Sequence, residues 1–378
     1  MKICIVCGRL CYGGAERVAV LWANAFRQSG HQVMVITNLY EPITYKVENG
    51  VIVRNLVSTN NNKIVKWLSS ILNIRKIVGE FQPEVLVGVM ATCSFVAKIS
   101  TCGGDIPVIA TEHNSFERPK SAPMSIFSKF FKFKVNRIYD AVTVLTKADE
   151  AFIGNSLSNV HVMPNPLALT PLNVLATKKK YVLAAGRLDE WYTKGFDVLI
   201  KAWGTMLRNE EAKAQSGDSE IEELKEWKLK IAGRGNENSI TYLKKLCKDY
   251  GVEDSVEFLG FVSDMKSLYE KASVFVLSSR YEGFGMVLIE AMSQGCACIA
   301  CDYKGRQREI IQNESQGLCC EPDNVDALVN TLQRMIFDDN YRESVRPNAI
   351  ERSKFYSISN VVDRWESLFN KIKSNSVS

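Results

Sequence analysis

The stretch Ser273–Gly295, SVFVLSSRYEGFGMVLIEAMSQG, divides into three pieces. Ser273 to Ser279 is a short, largely apolar run of strand length. Arg280 to Gly285 is interrupted by two glycines and reads as a turn. Met286 to Gln294 is apolar and unbroken, as a buried helix would be. Strand, glycine turn, helix is the repeating unit of a parallel sheet covered on both faces. Two carboxylates stand inside it, Glu282 in the turn and Glu290 in the apolar helical run. A carboxylate buried without a partner costs on the order of several kcal/mol, so each must be holding something. Gly283 and Gly285 let the backbone approach a ligand closely. The helix start near Met286 offers unpaired N–H groups and a positive dipole end, which is an anion site. Glu290, about one turn in, can accept hydrogen bonds from ligand hydroxyls; the plain alternative is an ion pair with a nearby Arg or Lys.

The same alternation extends in both directions. Before the stretch come YVLAAGRL, a helix after Lys194, WKLKIAG, a helix around Tyr242 and VEFLG; after it comes ACIACD. The first part of the chain repeats the pattern with KICIVCG, GGAERVAVLWANAFRQSG, HQVMVITN, the amphipathic NKIVKWLSSILNIRKIVGEF, PEVLVGVM, PVIATEH, a basic helix over 122–139, AVTVLT and VHVMPNP. Between the halves, MPNPLALTPLNVLATKKK holds three prolines and a lysine run and reads as a linker. With 378 residues, two domains are expected. The reading is α/β, with doubly wound domains over 1–168 and 169–355 and a final amphipathic helix, 356–373, packing back on the first. Ligands of such sheets bind outside the carboxyl ends of the strands, here in the cleft between the domains. NEEAKAQSGDSEIEELKEW, 209–227, reads as an exposed acidic insertion, and disorder is expected only near 209–223 and at the last few residues.

Composition excludes several classes. Eleven cysteines include Cys4-x-x-Cys7 and Cys298-x-x-Cys301. Both pairs lie in strands, where residues three apart point to opposite faces and cannot clasp one ion. Reduced thiols suit a cytosolic compartment. Arg9 comes too soon for a secretory signal, and the longest uncharged apolar stretch, VLVGVMATCSFVA, is too short to span a bilayer. There is no Asp-x-Asp and no His-x-x-Glu-His, so no metal is expected. The chain's net charge of +5 is carried by its first part, a sign of an anionic partner.

Other residues join the two glutamates. AAGRLDEWYTKGFDVLI puts Arg187 at a strand end and Lys194 at a helix start, two cations suited to phosphate. IAGRGNE has a Gly-x-Gly turn at Gly233 but lacks the six-residue dinucleotide fingerprint. Gly13 and Gly14 open the first helix, either as a loop for phosphate or acceptor or simply as a helix start. His113, in TEHN, ends a strand and is a candidate functional group; His31 and His161 read as structural. SIFSKFFKFKVNRIY interleaves Lys129, Lys132, Lys134 and Arg137 with Phe130, Phe131 and Phe133, as a helix lying on an anionic membrane would. The competing reading packs that Phe face on the domain.

Together, E-x7-E in YEGFGMVLIEAM, Arg187 with Lys194-Gly195, GGAER near the start, PNP at the linker and REII after a glycine resemble the family 4 retaining glycosyltransferases of GT-B fold. The resemblance spans nearly the whole chain and is more specific in the second half. It implies transfer of a hexose or N-acetylhexosamine from a nucleotide diphosphate sugar, a UDP-sugar ahead of GDP-mannose. The acceptor would be a glycan or lipid-linked glycan in lipopolysaccharide or capsule synthesis. It further implies no metal, no other cofactor, no nucleic acid, and a cytoplasmic protein peripheral to the membrane. By motif, Arg187, Lys194 and the amides of Gly285, Met286 and Val287 would hold the diphosphate. Glu290 would bind the ribose, and Gly283 and Phe284 the donor sugar. Glu282 and His113 would be catalytic. The base would lie near Gly233, Phe261 and Val262, and Gly13 and Gly14 would form the acceptor or phosphate loop. Two stretches depart from the pattern: GCACIA where many relatives carry Gly-x-Pro, and KGRQREII, whose Arg306 and Arg308 leave the distal donor contacts open. The alternatives are a GT-B sugar-nucleotide epimerase, which would form product without acceptor, and a non-catalytic partner subunit, which would bind no nucleotide.

Overall fold

The computed structural model describes residues 1–56, 62–214 and 220–377. They form two compact units, Met1–Ala168 with Tyr356–Ser378, and Leu169–Phe355.

In the first unit the strands are β1 (Lys2–Val6), β2 (Gln32–Thr37), β3 (Ile52–Asn55), β4 (Val85–Val89), β5 (Val108–Thr111), β6 (Ala141–Val144) and β7 (Val160–Val162). All pair in parallel, in the order β3-β2-β1-β4-β5-β6-β7. The central strands are apolar along their length because both faces are covered. Cys4, Val6, Leu86 and Val108 share one core with Ile74, Ile77 and Val78 of the helix Lys63–Phe81 and Val96 and Ala97 of the helix Met90–Ser100. The helix Gly14–Gln28 packs on β2 and β4. The last helix, Ile358–Val377, covers it, with Trp22 and Phe26 meeting Trp365 and Phe369 at ring separations of 4.9 and 5.6 Å.

The second unit contains β8 (Lys179–Ala185), β9 (Lys228–Ala232), β10 (Val256–Gly260), β11 (Ala272–Leu277), β12 (Ala297–Cys301) and β13 (Leu318–Cys320), all parallel, in the order β10-β9-β8-β11-β12-β13. Each sheet runs outward one way from its first strand and the other way from its fourth. The order therefore reverses between β1 and β4 and between β8 and β11, the positions where loops diverge and ligands enter such sheets.

Three readings of the sequence change. The stretch 209–227 is not an exposed insertion. The helix Phe196–Ala214 runs into it, Ile221 is buried, and Leu224 and Trp227 belong to the core. Glu210 is fully buried, accepting from Lys213 at 2.7 Å and Gln333 at 3.1 Å. The acidity hid an inward face; residues 215–219 lie outside the described residues. The basic helix of 122–139 is helical only over Ile126–Phe133, followed by a tighter turn at Val135–Ile138. The linker is shorter than its prolines suggest. Met163 to Leu167 are buried in the first unit, with the Leu167 N–H bonded to Tyr356 O, while Lys179 and Lys180 already belong to β8.

Candidate functional site

At the reversal point of the second unit the loops after β8 and β11 lie side by side. The β8 loop makes a short helix, Trp191–Lys194, which ends at Gly195 with φ +64°. A Cβ at Gly195 would stand 2.0 Å from Ser278 O, so the turn closes against the end of β11 only because no side chain is there. Ser278 Oγ donates to Lys194 O at 2.8 Å, and Arg280 N donates to Thr193 O at 2.8 Å. This stitching brings Lys194 Nζ to 2.6 Å from Glu282 Oε1. Ser279 Oγ donates to the same oxygen at 2.8 Å. Burial alone would push the Lys194 ammonium pKa down; the adjoining carboxylate reverses this and leaves it above the ordinary lysine value. Glu282 thus holds Lys194.

Glu290 is the more deeply buried of the two, 2% exposed, in the helix Met286–Ser293. The Tyr269 hydroxyl donates to its Oε2 at 3.4 Å. Gly285, φ +98°, starts that helix, and the first amides beyond it, at Met286 and Val287, have no partner inside the helix. Phe284 is buried, and Gly283 is half-buried beside Glu282. Arg187 begins the β8 loop, is exposed, and pairs with Glu190. Gly233 ends β9. Its N–H donates to Gly260 O at 2.8 Å, and a Cβ there would strike Gly186 O at 1.7 Å. Phe261 and Val262 follow β10, with Phe261 exposed. Arg306 is fully buried, its guanidinium 5.3 Å from the Tyr303 ring, whereas Arg308 is exposed and pairs with Asp302 at 3.2 Å.

In the first unit His113 follows β5 and lines a cavity of about 290 Å³ with Met90, Asn114, Arg118 and Ser128. Met90 begins the helix after β4 at φ +68°, a strained conformation for a residue with a side chain. His113 Nε2 lies 3.0 Å from Thr111 Oγ1. Burial pushes the imidazole pKa down to about 4, opposed by Asn165, so the ring is neutral at pH 7. Gly13 caps the first helix; a Cβ there would stand 1.8 Å from the Glu16 carboxylate, which pairs with Arg9 at 3.0 Å. That acid already stands over the helix start. A Cβ at Gly14 would meet nothing. His31 bridges the N-terminal amine, at 3.1 Å, and Glu366, at 2.8 Å.

Arg280 is the residue that sequence reasoning passed over. Its guanidinium grips Asp197 through two bonds of 2.7 and 2.8 Å, reaches Asp323 at 2.9 Å and lies 4.0 Å from the centre of the Tyr192 ring. It ties the β8 loop to the Glu282 loop. Its position next to Tyr281-Glu282 was the available signal, but the acids it meets are 83 and 43 residues away. Among the described residues, no three His, Cys, Asp or Glu side chains are grouped to hold a metal ion. Cys7 leaves its strand with its thiol on Arg9 O at 3.1 Å, while Cys4 sits in the core.

Two family models adjoin along the chain: Glycosyltransferase Family 4 over residues 12–170 and Glycosyl transferases group 1 over 171–352. A Campylobacter jejuni protein named as a GalNAc-α-(1→4)-GalNAc-α-(1→3)-diNAcBac-PP-undecaprenol α-1,4-N-acetyl-D-galactosaminyltransferase is 27% identical over 99% of both chains. The amylovoran biosynthesis glycosyltransferase AmsD of Erwinia amylovora is 26% identical over 95% of this chain and 96% of its own. Among solved structures, Anabaena HepE with UDP and glucose superposes with a TM-score of 0.79 at 15% identity, over 98% of this chain and all of that one. Sucrose-phosphate synthase from Thermosynechococcus elongatus does so at 0.77 and 18%, over 99% of both. With two doubly wound units of this likeness and both halves matched, the chain belongs to the family 4 (group 1) glycosyltransferases of GT-B fold.

Proposed function

We propose that this protein moves a sugar from a nucleotide diphosphate donor, a UDP-sugar ahead of GDP-mannose, to a glycan or lipid-linked glycan, with retention and without metal. The observation that carries the reading is the contact of Lys194 with Glu282 at the β8–β11 reversal point, beside the helix start at Met286. A diphosphate placed there would meet Lys194 and the amides of Gly285, Met286 and Val287, with Arg187 swinging in from the rim. These groups would take the charge of the departing phosphate, the work a metal does elsewhere. Glu290 would bind the ribose hydroxyls, and Glu282, once released from Lys194, would face the donor sugar. Without an enzymic nucleophile, retention fits a front-face path in which the departing phosphate takes the acceptor's proton. Neutral His113 would act as a hydrogen-bonding group beside the acceptor. The printed names of the relatives, one acting on an undecaprenol-linked glycan and one in amylovoran synthesis, favour a surface-glycan acceptor.

The test is a thermal-shift panel of UDP-, GDP-, ADP- and TDP-sugars in EDTA, followed by transfer assays on the donor that binds. A ligand at one hundred times its Kd stabilises by about 2.7 kcal/mol. No shift with any nucleotide sugar would sink the reading, and product formed without acceptor would favour an epimerase.

Replacing Lys194 by Ala is expected to weaken UDP or GDP binding by about 1.5–3 kcal/mol, as for a charge-assisted bond. Arg187→Ala is expected at the low end of that range, because Arg187 must first leave Glu190 and water. Calorimetry on both variants decides it; unchanged affinity in both would mean the phosphate lies elsewhere.

A further inference from the structure

The helix Trp191–Lys194, which carries Lys194, is a single turn, and a helix that short does not hold itself. Its carbonyls are held from outside. Those of Tyr192, Thr193 and Lys194 each receive a donor from the loop after β11: Arg280 Nη1 at 2.5 Å, Arg280 N at 2.8 Å and Ser278 Oγ at 2.8 Å. Two of the three donors belong to one residue. At its start the turn is fixed by Trp191, whose ring stacks on that of Tyr242 at 4.3 Å.

The Arg280 side chain, 10% exposed, does more than reach one carbonyl. A guanidinium has five N–H donors. Besides Tyr192 O, Nη1 donates to Asp197 Oδ1 at 2.7 Å. Nη2 donates to Asp197 Oδ2 at 2.8 Å and lies 2.8 Å from Asp323 Oδ1, and Nε donates to that last oxygen at 2.9 Å. The Tyr192 ring covers one face, its centre 4.0 Å away. All three nitrogens are thus engaged within this unit, and two carboxylates offset the charge. A phosphate could reach Arg280 only by breaking the paired bonds to Asp197. Asp197 is itself buried, in the first turn of the helix Phe196–Ala214, where the helix dipole favours its charge. Asp323 stands in the loop after β13 at φ +60°. One side chain therefore gathers the loops that follow β8, β11 and β13. The loop after β12 joins them through Tyr303, whose ring is 6.0 Å from that of Tyr281.

Lys194 directly follows the carbonyl that Arg280 N holds, and Glu282 stands two residues after Arg280. We infer that Arg280 is a positioning residue for sugar transfer: without touching substrate, it fixes Lys194 and Glu282 at the separation from which one takes the diphosphate and the other faces the sugar. The inference rests on the donor site proposed above. Misplacing such groups by about 1 Å can cost on the order of 10²-fold in rate. A lysine at 280 would keep the charge but lose the planar fork that holds both oxygens of Asp197 and reaches Asp323.

Full-length wild type, R280K, R280Q and D197N are compared by melting temperature, by calorimetry with UDP and with GDP, and by steady-state kinetics on the donor sugar that binds. R280Q and D197N are expected to weaken nucleotide binding about tenfold, the low end for loss of a charge-assisted bond. They should lower kcat about 10²-fold, and R280K should recover little of either. A residue that only supports the fold would lower the melting temperature and leave Kd and kcat of the folded protein unchanged; that outcome overturns the inference. A second measurement locates the effect. In K194A the nucleotide no longer depends on where residue 194 points, so K194A/R280Q is expected to bind UDP as K194A does. Losses that add would show Arg280 meeting the ligand directly, and would overturn the inference too. If R280Q does not fold, D197N, which keeps the shape and removes the charge, carries the same comparison in K194A. Wild type that binds neither UDP nor GDP would overturn the donor site and this inference together. Wild type that binds, with R280Q and D197N binding and turning over normally, would overturn this inference alone.

Discussion

Glu282→Gln is expected to lower kcat about 10²-fold or more while UDP or GDP binds at least as tightly as to wild type. Glu282 Oε1 is 2.6 Å from Lys194 Nζ and 2.8 Å from Ser279 Oγ. A diphosphate arriving at Lys194 must compete with that carboxylate. Gln keeps the shape and removes the charge, so the phosphate loses a competitor. The sugar loses more. Its positive charge develops only on the way to the transition state, and a preformed carboxylate stabilises it there rather than in the bound donor. Glu290→Gln should behave in the opposite way. A ribose contact is made equally in ground and transition states, so its loss should raise donor KM more than it lowers kcat. Steady-state kinetics and nucleotide calorimetry on both variants separate the two roles. If Glu282→Gln lost nucleotide affinity and Glu290→Gln lost only kcat, the assignments would be exchanged.

Gly195→Ala is expected to cost about 3 kcal/mol or more of stability and to take nucleotide binding with it. Gly195 sits at φ +64°, and its missing Cβ would lie 2.0 Å from the carbonyl oxygen and 2.9 Å from the carbonyl carbon of Ser278. Those are backbone atoms at the end of β11, so they cannot swing aside as a side chain could. A Cβ in the left-handed region costs about 1–2 kcal/mol, and overpacking typically about 1–3 more. Whatever relief the chain finds must move Lys194, the preceding residue, away from Glu282. Gly14→Ala is the control: that site is open and φ is ordinary, so its melting temperature should barely change. A melting temperature lowered by roughly 6–12 °C for Gly195→Ala is the expected reading for a unit of this size. Near-wild-type melting would show that the two loops can separate without cost.

The fold class could be read in the sequence because its central strands have no solvent face. β1, β4, β11 and β12 are short runs of apolar residues set between glycine turns and helices, and only a parallel sheet covered on both sides buries such strands. Two of the four edge strands were another matter. β3 is half-exposed and β13 is three residues long, so neither carries a periodic signal, and both were missed. VLVGVMATCSFVA looked like one apolar stretch. It is β4 and the start of a helix, divided at Met90 by a positive φ that no periodicity announces.

What the sequence by itself determined at the site is the local chemistry: Glu282 in a glycine turn, Glu290 within a helix that starts at Met286, and Lys194 before Gly195, each legible because turn, cap and helix are encoded within a few residues. What only tertiary structure decided is which distant groups meet. Lys194 and Glu282 are 88 residues apart and become partners because β8 and β11 are neighbours in the sheet. Arg280 and Asp197 are 83 apart and meet for the same reason. Lys132 and the phenylalanines around it were indistinguishable in sequence, each compatible with lipid or with the core. Packing alone settled them, sending Lys132 inward to two carbonyls and Glu112 and leaving Phe127 and Phe130 outside. A side chain's direction follows from which face its helix lays on the sheet, and that depends on strand order, which no short stretch of residues contains.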